Sequence, residues 1–228
     1  MRRIDPSELI DPKAVRPAGG CVIEMHAHSS ERSLDSGVRA EVLVAQAASR
    51  GLDGICLTEH NAIWPAEQAR ELEERHGVRV FPAMELGTDI GHILVYGLSA
   101  YAHEMLRFRR LREIIDAEGA AMVFAHPMRH YAGAGTPPGW DEWPDWFEGI
   151  EAINGDHSDS VDGYLVRVAA SLGIAALGGS DAHSRQAVGR AATAFFDPVS
   201  DVHELAARIR ERRIAPVDLR PAAPRLVE

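Results

Sequence analysis

The stretch Glu24-Met25-His26-Ala27-His28 follows the apolar run Cys21-Val22-Ile23 and decides how the chain is read. Successive side chains of a strand point to opposite faces, so His26 and His28 share one face. Two imidazoles side by side at the end of a buried strand can hold one metal ion. Four later stretches have the same form, an apolar run that ends in His, Asp or Glu. They are Thr58-Glu59-His60-Asn61, Ala83-Met84-Glu85-Leu86, Ala125-His126-Pro127 and Gly179-Ser180-Asp181-Ala182-His183.

The intervals between these stretches carry a repeating pattern. A strand over 21–28 leads to a polar loop and a helix over 38–50, which Gly51 closes as a C-cap glycine does. Residues 54–58 form a short apolar strand of the kind buried on both faces of a parallel sheet. Pro65 opens a polar helix and Gly77 ends it. Strands over 78–84 and 92–96 read as a hairpin, and 101–118 as one long amphipathic helix. Strands follow at 121–125, 150–153, 174–177 and 191–196, with helices at 161–172 and 202–212. Such alternation with short connections is the signature of an α/β sheet or barrel. In both architectures ligands gather at the C-terminal ends of the strands, where these His, Asp and Glu residues fall. The expected organisation is an irregular arm over 1–20, one barrel domain over 21–213 and a proline-bearing tail over 214–228.

Residues 127–148 break the rhythm with Gly133, Gly135, Pro137, Pro138, Gly139 and Pro144 among Trp140, Trp143 and Trp146. A long loop in a compact domain is a functional lid or is disordered, and three tryptophans argue for a lid. Those rings either stack on a substrate or pack the lid down.

The 228 residues suffice for one domain with a sizeable core. The formal net charge is -10 and no basic run appears, which disfavours a nucleic-acid partner. Lys13 is the only lysine and precedes the first strand, so no barrel lysine is present for a Schiff base or a carboxylated metal bridge. Cys21 and Cys56 lie in apolar runs and read as small buried hydrophobes. The start, with Asp5, Glu8 and Asp11, has no apolar signal core, and no stretch reaches membrane-spanning length, so a cytoplasmic enzyme is expected.

Taken singly, each strand-end residue has an ordinary reading as a cap, an ion-pair partner or a hydrogen-bonded histidine. Together they crowd many polar groups at one mouth, a costly arrangement unless partnered. Divalent cations are the simplest partners, and a nitrogen and oxygen donor set without thiolate suits Zn, Mn or Fe.

The order HxH, TEH, a Glu ahead of His92-Ile93-Leu94-Val95-Tyr96-Gly97, AHP and GSDAH resembles the PHP family (polymerase and histidinol phosphatase) over residues 21–196. The resemblance implies a distorted (β/α)7 TIM-like barrel with two or three divalent metals at its C-terminal mouth. It implies that His26, His28, Glu85 and Asp181 hold a first metal. Glu85 would bridge to a second, completed by His92 and His126. His60 and His183 would hold a third with an acid from the loop after His28. Asp35 is preferred, because Ser33-Leu34-Asp35-Ser36-Gly37 resembles the family's S-D-G segment with one extra residue, and Glu31 is the alternative. Glu85, Asp181 and His183 would then serve catalysis.

The expected function is hydrolysis of a small phosphorylated metabolite or nucleotide, with an exonuclease-type module as the alternative. Clustered divalent cations can bind a phosphate, lower the pKa of a water and neutralise the leaving oxygen. Arg129, three residues after His126, can reach the same mouth as a phosphate clamp, with Arg185 as a second candidate. His130 and His157 lie in or near the long loop as candidate substrate contacts. An amidohydrolase-type barrel also opens with HxH, but that class often bridges its metals with the carboxylated lysine this chain lacks.

Overall fold

Each apolar run finds a neighbour in one nine-stranded sheet. The computed structural model describes residues 9–129 and 139–221. The strands are β1 (Cys21–Glu24), β2 (Gly54–His60), β3 (Arg79–Thr88), β4 (Gly91–Tyr96), β5 (Ala121–Phe124), β6 (Gly149–Asn154), β7 (Ala175–Gly179), β8 (Ala191–Phe195) and β9 (Ile214–Asp218). Their order across the sheet is β7-β6-β5-β4-β3-β2-β1-β8-β9. All run in one direction except β4 and β8, which pair antiparallel with both of their neighbours.

The sheet curls until its ends meet, giving a nearly closed barrel. Gly178 of β7 donates its N–H to the Thr193 hydroxyl of β8 at 2.9 Å, and that hydroxyl donates back to the Gly178 carbonyl at 2.9 Å. The approach demands glycine, since a Cβ at Gly178 would lie 2.3 Å from the Ala192 carbonyl oxygen. At the mouth the seam is made by backbone alone. Ala182 donates to the His26 carbonyl and His28 donates to the Ala182 carbonyl, both at 3.0 Å. The segments bearing His26, His28 and Asp181 are thereby joined directly.

Helices cover the outside. They are α1 (Ala40–Arg50), α2 (Ala66–His76), α3 (Phe108–Glu118), the single turn α4 (Trp143–Trp146), α5 (Asp159–Leu172) and α6 (Val202–Arg210). One buried cluster joins β2 to α1 and α2 through Leu43, Ala47, Leu57 and Leu72. A second joins β3, β4 and β6 to α3 and α5 through Leu86, Ile93, Leu111, Ile115 and Leu165. The third contains Ile23, Met25, Leu94, Tyr96, Val123 and Leu177, with Leu205 and Ile209 of α6. The Tyr96 hydroxyl reaches through it to the Met25 carbonyl at 2.9 Å, next to the first histidine. Among the described residues no helix is long and apolar enough to cross a membrane.

Two elements differ from the sequence pattern. The expected helix over 101–118 is a 3-10 turn (His103–Leu106) and then α3, broken at Arg107. Asp89 of the β3–β4 turn causes the break: its N–H takes the Leu106 carbonyl at 3.2 Å and its carboxylate caps the Phe108 N–H at 2.9 Å. The stretch assigned to a tail begins with β9, which pairs along β8. Pro216 is tolerated because it lies on a strand whose ladder is formed with β8 alone. Trp143 is buried against Phe124 and Phe147, and Trp146 packs on Phe108, so both rings fasten this part of 127–148 to the core. Residues 130–138, with His130, lie outside the described residues.

Candidate metal centre

His26 and His28 are fully buried at the mouth, with ring centroids 5.0 Å apart. Thr58 ties their segment to β2: its hydroxyl accepts from the Ala27 N–H at 3.0 Å and donates to the Ala27 carbonyl at 3.1 Å. The next residue, Glu59, faces away from the mouth. It accepts from the Ser29 and Ser33 hydroxyls at 2.5 and 2.6 Å and from the Trp64 indole at 2.6 Å. It thereby shapes the loop after His28 and presents His60 at the strand end.

Glu85 is the hub. Its Oε1 lies 2.8 Å from His92 Nδ1 and 3.0 Å from His126 Nε2. Its Oε2 lies 3.2 Å from His26 Nε2, 3.0 Å from His28 Nε2 and 3.3 Å from His60 Nδ1. Asp181 adds Oδ1 at 3.4 Å from both His26 and His28. Ligand-type atoms gather within 4.8 Å of one another in three groups: His26, His28, Glu85 and Asp181; Glu85, His92 and His126; and His28, His60 and His183. Asp35 Oδ2 joins the last group, 2.9 Å from His60 Nε2 and 3.2 Å from His183 Nε2. Glu31 does not, because its carboxylate accepts the Ala40 N–H at the start of α1 at 3.1 Å.

Arg129 reaches the mouth and pairs with Asp181 Oδ2. Arg185 does not come in; its Nε donates to Gln46 of α1 at 2.8 Å. His157 also stays outside the cluster and meets Asp162 at 3.2 Å.

The backbone is strained where these groups converge. Asn61, His126 and Asp181 adopt φ of 50°, 28° and 51°, in the left-handed region that side chains avoid. Asn61 follows His60, and its side-chain carbonyl takes the Gly87 N–H at 3.0 Å, locking β2 to β3 beside Glu85.

Electrostatics follow from burial among charges. Burial alone would lower the His26 pKa, but Asp181, Glu151 and Glu85 hold it well above the usual imidazole range. Burial alone would raise Glu85, but the surrounding imidazoles, His26 foremost, hold it well below the usual carboxylate range. Burial and the neighbouring His28 lower His60.

The residues fit divalent cations. His28 Nε2 and Asp181 Oδ1 are buried, 3.4 Å apart, and neither makes a well-directed hydrogen bond, although Glu85 Oε2 lies 3.0 Å from the imidazole nitrogen; both belong to the four-residue group. Orphaned polar atoms of this kind are costly unless something binds them. A cation between an imidazole nitrogen and a carboxylate oxygen satisfies both.

The pattern of single residues did not reveal Glu24, Glu59 and Glu151. Glu151 accepts from the His126 N–H at 2.9 Å and faces His26 Nδ1 at 2.8 Å. That contact fixes the outer ring nitrogen and leaves Nε2 toward the mouth, as outer carboxylates of metal sites do. The signal that could have found all three is a glutamate inside an otherwise apolar strand.

A family model described as PHP-associated matches residues 166–214. A two-domain protein from Bacteroides vulgatus with a predicted PHP-like metal-dependent phosphoesterase superposes with a TM-score of 0.67 at 22% identity. That superposition covers 96% of this chain and 70% of the other. This superposition shows that the chain has the fold of that PHP-like protein. Two other solved structures superpose with lower TM-scores. A metal-dependent phosphoesterase, itself assigned by inference, from Bifidobacterium adolescentis gives a TM-score of 0.56 at 16% identity, covering 72% of this chain and 88% of that one. An amidohydrolase from Chromobacterium violaceum, solved with sulfate and no metal, gives 0.57 at 18% identity, covering 88% and 98%. By sequence, an error-prone DNA polymerase from Cutibacterium acnes is 34% identical over 82 residues, which is 35% of this chain and 7% of that polymerase.

Proposed function

We infer that this chain is a PHP-type metal-dependent phosphoesterase that hydrolyses a small phosphorylated substrate. The observation that carries the reading is Glu85, a buried carboxylate surrounded by five imidazoles, beside orphaned His28 Nε2 and Asp181 Oδ1. In this reading His26, His28, Glu85 and Asp181 hold one cation, Glu85 shares a second with His92 and His126, and Asp35, His60 and His183 hold a third. Bound divalent ions would supply Lewis acidity toward a phosphoryl oxygen and an attacking water.

The chain's own groups do the rest. Glu85 and Asp181 supply the anionic charge that keeps cations close together. Glu151 holds the His26 ring by Nδ1, so that Nε2 faces Glu85 Oε2 at the mouth. Asp181 turns Oδ1 to the histidines and Oδ2 to Arg129, so one carboxylate ties the guanidinium to the mouth. From there Arg129 can take two oxygens of a phosphoryl group in a bidentate, charge-assisted pair.

The local similarity to a DNA polymerase supports a second reading, hydrolysis of a nucleic-acid phosphodiester. The net charge of -10 favours the small substrate. The experiment covers both. Protein purified without chelator is analysed for metals, then assayed with Mn or Zn on a panel of phosphorylated metabolites and on single-stranded oligonucleotides. The expected result is at least about two metal equivalents per chain and turnover of a phosphomonoester. Protein that binds neither Mn nor Zn overturns the metal reading, and turnover of oligonucleotides alone selects the second one.

A further inference from the structure

Arg220 lies far from the mouth in sequence and just past β9, yet it is buried, with 9% of its surface exposed. Its Nη2 pairs with the buried Asp162 of α5. Its Nη1 donates to the carbonyls of Asn154 and His157 at 3.2 and 2.6 Å. Its Nε and Nη2 donate to Asp218 Oδ1 and Oδ2 at 2.8 and 2.9 Å, which makes five acceptors in all. One guanidinium thus ties both ends of the β6–α5 connection to α5 and β9.

That connection is the support of the metal centre. Asn154 is fully buried and is held twice, by its carbonyl on Arg220 and by its N–H on Asp162 at 3.3 Å. Its side-chain amide donates to Glu151 Oε2 at 2.9 Å, and Glu151 Oε1 meets His26 Nδ1 at 2.8 Å. The next residue, Gly155, donates to the Gly179 carbonyl at 3.0 Å, and a Cβ there would lie 2.6 Å from the Ser180 carbonyl oxygen. The connection therefore presses on the strand end that carries Asp181 while it steers the carboxylate behind His26. A surface arginine would have no reason to be fixed at five acceptors in a buried pocket. An arginine fork is suited to it, because its donors have fixed directions.

We propose that Arg220 is a positioning residue for the metal centre, holding Asn154 and Glu151 so that His26 presents Nε2 to the cation. The inference rests on the metal reading above. Outer partners of metal-ligating histidines are typically worth 10- to 100-fold in metal affinity, and Arg220, acting at one further remove, belongs at the lower end.

The test uses the full chain with Arg220→Gln, Arg220→Lys and Asp162→Asn. Metal affinity is measured by chelator competition with Zn alone, without substrate. The His26 Nδ1–H contact to Glu151 is read by proton and nitrogen NMR on metal-free protein. Arg220→Gln is expected to weaken the tightest Zn equivalent about 10-fold and to weaken that Nδ1–H hydrogen bond. Lysine should restore part of the affinity, since an ammonium can reach Asp162 but not both carbonyls. Asp162→Asn should shift both readouts in the same direction, and it carries the test if Arg220→Gln does not fold. Wild-type affinity and a wild-type Nδ1–H hydrogen bond in variants that merely melt earlier would overturn the proposal and leave Arg220 a scaffold residue. A wild-type chain that binds no Zn fails the metal reading instead, and the Nδ1–H hydrogen bond still judges Arg220.

Discussion

Two sets of buried carboxylates sit within one barrel, and burial does not tell them apart. Glu24, Glu59 and Glu151 are 0% exposed, and Glu85 and Asp181 are 1% and 5% exposed. Their partners separate them. Glu24 takes three backbone N–H groups, from His26, Ser180 and Gly189, at 3.1, 2.8 and 3.0 Å. Glu59 takes two serine hydroxyls and an indole. Glu151 stands between the sets, with the His126 N–H and the Asn154 amide on Oε2 and the His26 ring on Oε1. Backbone N–H groups and the indole keep fixed directions and do not deprotonate near neutral pH, so they brace the strand ends. Glu85 is surrounded by imidazoles, which can offer either a proton or a lone pair. A carboxylate answered by fixed donors is framework. A carboxylate answered by rings that can change sides is prepared for a cation.

The sharpest way to break this comparison is the same conservative change in each set. Glu85→Gln keeps shape and removes the charge shared by the histidines. It should fold, lose metal and lower kcat/KM by roughly three orders of magnitude, about 4 kcal/mol. Elemental analysis, circular dichroism and steady-state kinetics on one sample check it. A variant with full metal and wild-type turnover would move Glu85 into the framework set.

Arg129 tests the boundary between the sets, since it is bound to the site through Asp181 without being able to ligate a metal. Its contact should strengthen as the phosphoryl group gains charge in the transition state. Arg129→Ala should lower kcat/KM by roughly two orders of magnitude, about 2.7 kcal/mol, with metal content intact. Arg129→Lys should recover part of the loss. Wild-type activity in the alanine variant would make Arg129 a counter-ion of Asp181 and nothing more.

The two sets were unequally legible in the sequence. His26, His28, His60, Glu85, His126, Asp181 and His183 announce themselves because each ends an apolar run, and strand ends are where a barrel collects its ligands. Strand alternation was enough to put His26 and His28 on one face. The framework carboxylates were hidden because their donors lie far along the chain: Gly189 is 165 residues from Glu24, and His126 is 25 from Glu151. No periodicity encodes such pairs. The same limit explains Arg185, whose partner Gln46 is 139 residues away, and β9, whose Pro216 and surrounding arginines mask a strand that only its pairing with β8 reveals. The break at Arg107 was invisible because its cause, Asp89, belongs to a separate hairpin turn.

Glu24→Gln is the counterpart with the smallest effect. Burial pushes the Glu24 carboxyl up from its ordinary value of 4.5, although the N–H groups around it pull the other way. The folded state therefore holds this proton more tightly than the unfolded chain does. Wherever the folded state binds more protons, stability falls as pH rises. The wild type should lose stability from about pH 4.5 upward through the raised folded pKa, on account of this group. Glutamine cannot ionise and escapes that loss. Its carbonyl can still accept N–H groups, but its amide nitrogen faces a donor, which should cost about 1 kcal/mol. Urea unfolding across this window should show Glu24→Gln less stable at the acid end, with the gap to wild type narrowing as pH rises. Metal content should match wild type throughout. A gap that widens with pH would mean that Glu24 works as an anion, and loss of metal would mean that the framework set and the ligand set are one.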